Sequence, residues 1–371
     1  MAKIINAVNT CKGKESVNAV NTRKSAILGT RLDTLAQLGK VTDSPSNEDV
    51  INLSSITHLD DIKILKKRAK RKYFGQALTL GLVDACKHNP DSSLKKSYWN
   101  TFHCSSELSV MSDGKLSGQF CKNRWCMVCS AIKIAKSIAK YKPFLDSWED
   151  KHFVTLTVVN PDRYGLSDEI VSMYKSFVKI KDVIKKRHSK GNAEKFIGIR
   201  KLECTYNPHT DTYHPHFHLI VKGRDNAEFL LESWLKHHPT SLRRAQDCRP
   251  ANDNSSLELF KYFAKVISKG DSKSSRAIYA DAMDIIFNTV KGKRTFQPFG
   301  FKASDLQTEE EENNDNAFAI GVRRWVQELG DWVDEDTGEM LTGYIPGKEI
   351  KELVTNKIIV RKCYHQAINT S

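Results

Sequence analysis

KLECTYNPHTDTYHPHFHLIV, residues 201–221, decides the fold. Two extended runs, 196–206 and 213–221, flank the turn-rich NPHTDT, so the segment reads as an antiparallel hairpin. Side chains alternate faces along a strand, which places His214, His216 and His218 together. With the turn centred near 209–210, Glu203 lies opposite His216 on that same face. Three imidazoles crowded together without a cation pack poorly, and imidazole is the commonest metal ligand. Two histidines and one carboxylate with open positions suit Mn²⁺ or Mg²⁺, or another divalent ion. His214 stands beside this set as a supporting residue, a substrate contact or a further ligand. The competing interpretation is a structural histidine cluster hydrogen-bonded within a sheet.

Outward from the hairpin, KHFVTLTVVN (151–160) is β-branched and apolar and ends at Asn-Pro, the pattern of a buried strand. Residues 167–188 have helical spacing, with Ile170, Tyr174, Phe177, Val178 and Val183 on one side. A helix at 226–237, a strand at 241–248 and a helix at 255–268 follow. This β-α-β-β-α-β-α order predicts the α+β class, a mainly antiparallel sheet covered by helices.

The last of these helices carries ELFKYFAK, residues 258–265. Glu258 and Tyr262 share a face at i, i+4, with Lys265 one turn further on. A free phenol is a poor nucleophile at neutral pH. Lys261, Lys265 and a bound cation would lower its pKa, and together they outweigh the opposing Glu258. The glutamate could then take a proton from water or a sugar hydroxyl. Taken alone, Tyr and Phe at helical spacing are more often core.

Upstream, CKNRWCMVC sets Cys121, Cys126 and Cys129 at x4 and x2 spacing, with His103 and Cys104 before them. A C-x2-C knuckle with further ligands nearby is a structural Zn²⁺ pattern. Arg124, Trp125, Lys133, Lys136 and Lys140 surround it and could set it on DNA, with Trp125 as a stacking surface. Still earlier, seven of the eleven residues 62–72 are Lys or Arg. Lys66, Lys67, Arg68, Lys70, Arg71 and Lys72 would coat a helix with positive charge, either as phosphate contacts or as a solvated face.

The whole chain has 371 residues, 40% hydrophobic and 27% charged, ordinary for a globular protein with a real core. Its net charge of +14 is not ordinary and favours a polyanionic partner. No uncharged apolar run reaches the ~18 residues of a membrane span, and the N-terminal MAKIINAVNT lacks a signal peptide's apolar core. Nine cysteines with no such leader fit reduced thiols in a cytoplasm. The expected organisation is a disordered arm at 1–55, where NAVNT occurs twice, then a basic helical and cysteine-knuckle segment at 56–145. A catalytic domain at 146–305, an acidic linker at 306–316 around EEEENND, and a small C-terminal unit at 317–371 complete it.

FVTLTVVN (153–160), LECTYN…YHPHFHLIV (202–221) and ELFKYFAK (258–265), in that order, resemble the three motifs of rolling-circle plasmid replication initiators. These are HUH endonucleases of the group with a glutamate four residues before the catalytic tyrosine. The resemblance covers roughly residues 60–300 and implies an HUH-like fold and a bacterial, site-specific nickase of the plasmid's double-strand origin. It implies that His216 and His218 are the metal histidines and Glu203 the third ligand. Tyr262 would then attack the scissile phosphodiester, remain on the 5′ phosphate and leave a 3′-OH primer for a host polymerase. Glu258 would activate water to end the cycle, and Lys265 would help neutralise developing charge. Origin DNA, its displaced single strand and a host helicase are the implied partners, and the family's cysteine segment favours Cys104 as fourth zinc ligand over His103. Two other readings are a relaxase or transposase of the same chemistry, and a zinc-containing DNA-binding regulator without catalysis.

Overall fold

β5 (Gly198–Asn207) and β6 (Thr212–Lys222) form the expected hairpin, with Glu203 paired to His216 and Lys201 to His218. The turn is shaped by the Asn207 side chain, which accepts from His209 N, and by Asp211 in the left-handed region at φ 53°. This computed structural model describes residues 57–252, 255, 258–260, 268–269, 276–302, 317–347 and 359–360. The expected arm at 1–55, the acidic linker, Tyr262 and Lys265 lie outside the described residues.

Around the hairpin runs an antiparallel sheet of order β10-β5-β6-β4-β7, from β4 (Lys151–Thr157), β7 (Asp247–Pro250) and β10 (Phe296–Phe299). Pro215 sits inside β6, where a missing N–H would normally break a ladder. Tyr213 N, two residues earlier and so on the same edge, donates to Pro161 O, and pairing with β4 stops at His216. The proline therefore falls just beyond that strand's end. Gly198 is demanded by close approach: a Cβ there would lie 2.5 Å from Ile220 O and 2.7 Å from the Phe299 ring.

The two faces of this sheet differ. Leu156, Leu202, Cys204, Phe217 and Leu219 pack under α4 (Leu166–Ser189) and α5 (Arg224–His237) with Ile170, Phe177, Leu230 and Trp234. Asp168 and Glu169 in the first turn of α4, and Lys186, Arg187 and His188 in its last, complement the helix dipole. On the opposite face Phe153, Ile199 and Ile220 are covered by Ile138 and Leu145 of α3 (Met127–Asp146) and by Leu259 and Phe260. Beyond this apolar half, the same face carries Lys201, Glu203, His216 and His218.

α1 (Ile62–Ala85) spans two cores. Phe74, Leu78 and Leu82 join the main one, beside Tyr98 of α2 (Lys95–Phe102) and Met283 and Ile286 of α6 (Ala280–Thr289). Its N-terminal Leu65 and Ala69 pack on a second sheet of order β1-β3-β2-β11-β12. That sheet joins β1 (Thr57–His58), β2 (Glu107–Met111) and β3 (Lys115–Gly118) to β11 (Ala319–Val326) and β12 (Asp331–Asp334). Residues 319–334 of the expected C-terminal unit thus share a sheet with the cysteine-bearing segment. A third sheet combines β8 (Ser268–Lys269) and β9 (Arg276–Tyr279) with β13 (Ile359–Val360), the last pair running parallel.

The α+β class and the mainly antiparallel sheet match expectation. Two elements differ. The strand expected at 241–248 is a 3-10 turn at Arg243–Ala245 leading into β7, held by Gln246, whose Oε1 accepts from Thr157 N. The helix expected at 255–268 does not reach 268, which already lies in β8.

Candidate functional site

Three side chains converge on the polar half of the sheet face that lies opposite α4 and α5. His216 Nε2 and His218 Nε2 are 3.1 Å apart, and His218 Nε2 is 3.9 Å from Glu203 Oε2. One ligand atom from each residue lies within 4.8 Å of the others. Two nitrogens bound at about 2.1 Å and at right angles would be separated by about 3.0 Å, so the donor set fits a divalent ion. Glu203 and His216 are buried and His218 is half-buried.

The neighbours orient these donors. His216 Nδ1 is 3.0 Å from the His214 carbonyl oxygen, an arrangement that puts the proton on Nδ1 and frees the Nε2 lone pair. His218 Nδ1 is 3.2 Å from Thr155 Oγ1. Burial holds the His216 imidazolium down to about 3, against the opposing pull of Glu203, so the ring is neutral and ligand-competent at neutral pH. His214 stands outside the converging triangle; its Nδ1 is 2.7 Å from Asn160 Oδ1, and burial lowers its pKa as well. Sequence reading passed over Lys201, which is 4% exposed with Nζ 3.3 Å from Glu203 Oε2. Its signal was available: two residues before Glu203 on a strand is the same face.

Glu258 is helical and half-buried beside the buried Leu259 and Phe260, which anchor this segment on the sheet. Tyr262 and Lys265 follow in sequence, outside the described residues.

The four cysteines form a second centre. Cys104 Sγ is 3.4 Å and Cys121 Sγ 3.7 Å from Cys129 Sγ, and one sulfur from each of Cys104, Cys121, Cys126 and Cys129 lies within 4.8 Å of the rest. Tetrahedral bonds of about 2.3 Å set sulfurs about 3.8 Å apart, so this group fits a structural ion. Backbone N–H groups of Cys121, Lys122 and Cys129 donate to Cys104, Cys129 and Cys126 sulfurs, as thiolates require. His103 is not in the cluster; its ring stacks on Trp99.

The basic run on α1 divides in two. Lys66 and Lys67 are exposed and Lys70 is half-buried. Arg68, Arg71 and Lys72 are buried, a correction to the expectation that all six coat the surface of the helix. Lys72 Nζ donates to Cys104 O at 2.7 Å and to Ser106 Oγ. Burial lowers Lys72 to about 8 and Arg68 to about 10, while the neighbouring cysteine sulfurs pull both back up. These cations sit where a dianionic metal–tetrathiolate centre would need compensation. Trp125 is likewise no free stacking surface, because its ring packs on Tyr98 and Phe287 at 5.7 and 5.5 Å. Arg124 donates to the carbonyls of Val290 and Lys293 and so braces the loop after α6.

An antiparallel sheet with a Glu/His/His cage on one face, joined to a four-cysteine knuckle, defines an α+β protein with two metal-competent centres. Residues 115–229 match a family described as "Replication protein", a span that holds Glu203, both converging histidines and three of the four cysteines. Relatives include a "Protein rep" of Staphylococcus aureus, 34% identical over 127 residues, which are 32% of this chain and 54% of that protein. Another from a Bacillus species is 33% identical over 135 residues, 33% of this chain and 42% of the relative. A third, from Bacillus amyloliquefaciens, is 31% identical over 135 residues, 33% of this chain and 38% of the relative. The chain thus spans about half or less of the curated relatives it matches. No solved structure matches it. The resemblance to plasmid replication initiators is borne out over this shared segment.

Proposed function

We propose that the chain initiates rolling-circle replication of a plasmid by nicking one strand at the double-strand origin. The convergence of His216 Nε2, His218 Nε2 and Glu203 Oε2 on one face of the sheet carries this reading. Phosphoryl transfer asks a protein to hold nucleophile and phosphate in line and to neutralise developing charge. A divalent ion in the cage, Mn²⁺ or Mg²⁺, would supply Lewis acidity toward the nonbridging phosphate oxygens. The Tyr262 phenolate oxygen attacks phosphorus. A bond forms between that oxygen and the 5′ phosphate, the bond to the 3′ oxygen breaks, and the departing oxygen takes a proton to become the 3′-OH primer. Lys265 would help neutralise the developing charge. At termination Glu258 accepts a proton from the water that releases the 5′ phosphate from Tyr262.

Supercoiled plasmid carrying its own origin, incubated with the protein and Mn²⁺ or Mg²⁺, should yield open circles with protein on a 5′ end. Tyr262→Phe should abolish both products. A mobility shift with no cleavage at any metal concentration would overturn the nickase in favour of a DNA-binding regulator.

A further inference from the structure

The four-cysteine knuckle and α3 line a groove that runs toward the Glu/His/His cage. Two adjoining cavities, of 670 and 160 Å³, share Lys122, Lys133, Ser137 and Phe296. Lys133, Lys136 and Lys140 recur at helical spacing along the wall of the larger one. Lys122 stands at the junction in the left-handed region at φ 56°, its N–H held by Cys129 Sγ, so the knuckle itself aims this lysine. No carboxylate lines either cavity among the described residues. Phe120, Tyr141 and Phe296 supply half-buried aromatic faces between the cations. At the inner end are Lys201, which pairs with Glu203, and Leu259 and Phe260, whose segment continues to Tyr262.

We propose that this groove holds the unpaired flank of the DNA and feeds it to the cage, a proposal that rests on the strand-cleavage reading. Lysines spaced along a track neutralise successive phosphates, and aromatic faces between them stack bases. Paired bases keep their faces inside the duplex, so aromatic rings interleaved with cations select a single strand. The bound strand passes Lys122 and enters the narrow cavity, where Lys201 receives a phosphate beside Glu203.

The full chain is titrated with fluorescent oligo-dT and, separately, with a blunt duplex of the same length, at several salt concentrations. Lys133→Gln/Lys136→Gln/Lys140→Gln should weaken oligo-dT binding at least tenfold and make the plot of log K against log salt shallower by about 2. Tyr141→Ala should weaken oligo-dT binding about tenfold and leave that slope unchanged. The triple Lys→Arg variant should retain binding, which excludes a folding defect. Unchanged oligo-dT affinity in the triple Gln variant would overturn the proposal, and so would an equal loss for the duplex. Because oligo-dT binding needs no cleavage, an inactive chain that still showed these losses would sink the nickase and leave the groove standing. A chain that nicked normally but bound oligo-dT independently of these lysines would do the reverse.

Discussion

His216 Nε2 faces His218 Nε2 at 3.1 Å, an approach that two neutral imidazoles make comfortably only around a shared proton or a shared metal. The His214 carbonyl already takes the Nδ1 side of His216, and Thr155 Oγ1 that of His218. Both rings are thereby turned to present Nε2 to the same point. We expect one Mn²⁺ to bind there, read by electron paramagnetic resonance titration of the full chain. Thr155→Val, which removes a supporting hydrogen bond, should weaken Mn²⁺ binding about tenfold, and His216→Ala should exceed the roughly 100-fold ceiling of such support. Equal affinity in His216→Ala and the parent would refute the cage.

The same ring sets an acid limb of stability. In metal-free protein, His216 is neutral until about pH 3 when folded, because burial disfavours its charged form, whereas unfolded imidazole titrates near 6.5. Between these values the unfolded chain binds the extra proton, so lowering pH through this window favours unfolding. The loss should reach on the order of 5 kcal/mol. Urea unfolding of the chelated protein at a series of pH values tests it. His216→Gln should flatten the slope between pH 6 and 4.

The cysteine centre makes a separate demand. Lys72 is 3% exposed, and its ammonium donates to the carbonyl of Cys104, one of the four clustered thiols. A buried cation without an anion is costly, while one beside a metal–tetrathiolate dianion is compensated. One zinc per knuckle should be measurable by elemental analysis. Lys72→Met should cost about 3–5 kcal/mol in zinc-loaded protein and much less after zinc is stripped, by differential scanning calorimetry. An equal cost in both forms would show that Lys72 only packs.

How much of this was legible beforehand depended on periodicity. The two-residue alternation of β5 and β6 brought Glu203 opposite His216 from the text alone, and the register agrees. The cysteine spacing marked Cys121, Cys126 and Cys129, while the choice of Cys104 over His103 came from the family resemblance; the four sulfurs do cluster. What failed was the basic run on α1. Seven cations in eleven residues look solvated, yet α1 packs through Leu65 and Ala69 on one sheet and through Phe74 and Leu78 on the main core. A helix gripped on two sides buries intervening positions whatever their charge, and no local pattern announces the second partner. The sheet that supplies it is completed by β11 and β12, more than two hundred residues later. Trp125 misled for a related reason: its partner Phe287 belongs to α6, which expectation did not contain.

That helix is also fastened by a buried acid that no motif marks. Asp284 is fully buried and accepts from Asn89 Nδ2 and Ser92 Oγ at 2.7 Å, Tyr98 OH at 2.6 Å and Asn288 Nδ2 at 2.9 Å. These donors come from the α1–α2 connection, from α2 and from α6 itself, so one carboxylate ties three parts of the core. Burial, and then contact with Asp284, also push the Tyr98 phenol far up, keeping it a donor at any practical pH. Asp284→Ala would strand four donors in a dry interior, at a cost of about 3–5 kcal/mol. Asp284→Asn keeps the shape but turns one acceptor into a donor facing other donors, so it should recover less than half of that loss. Urea midpoints of the two variants, read by tryptophan fluorescence, decide between this hub and simple packing: if Asp284→Asn is as stable as the parent, the charge on the carboxylate is irrelevant and the network argument fails.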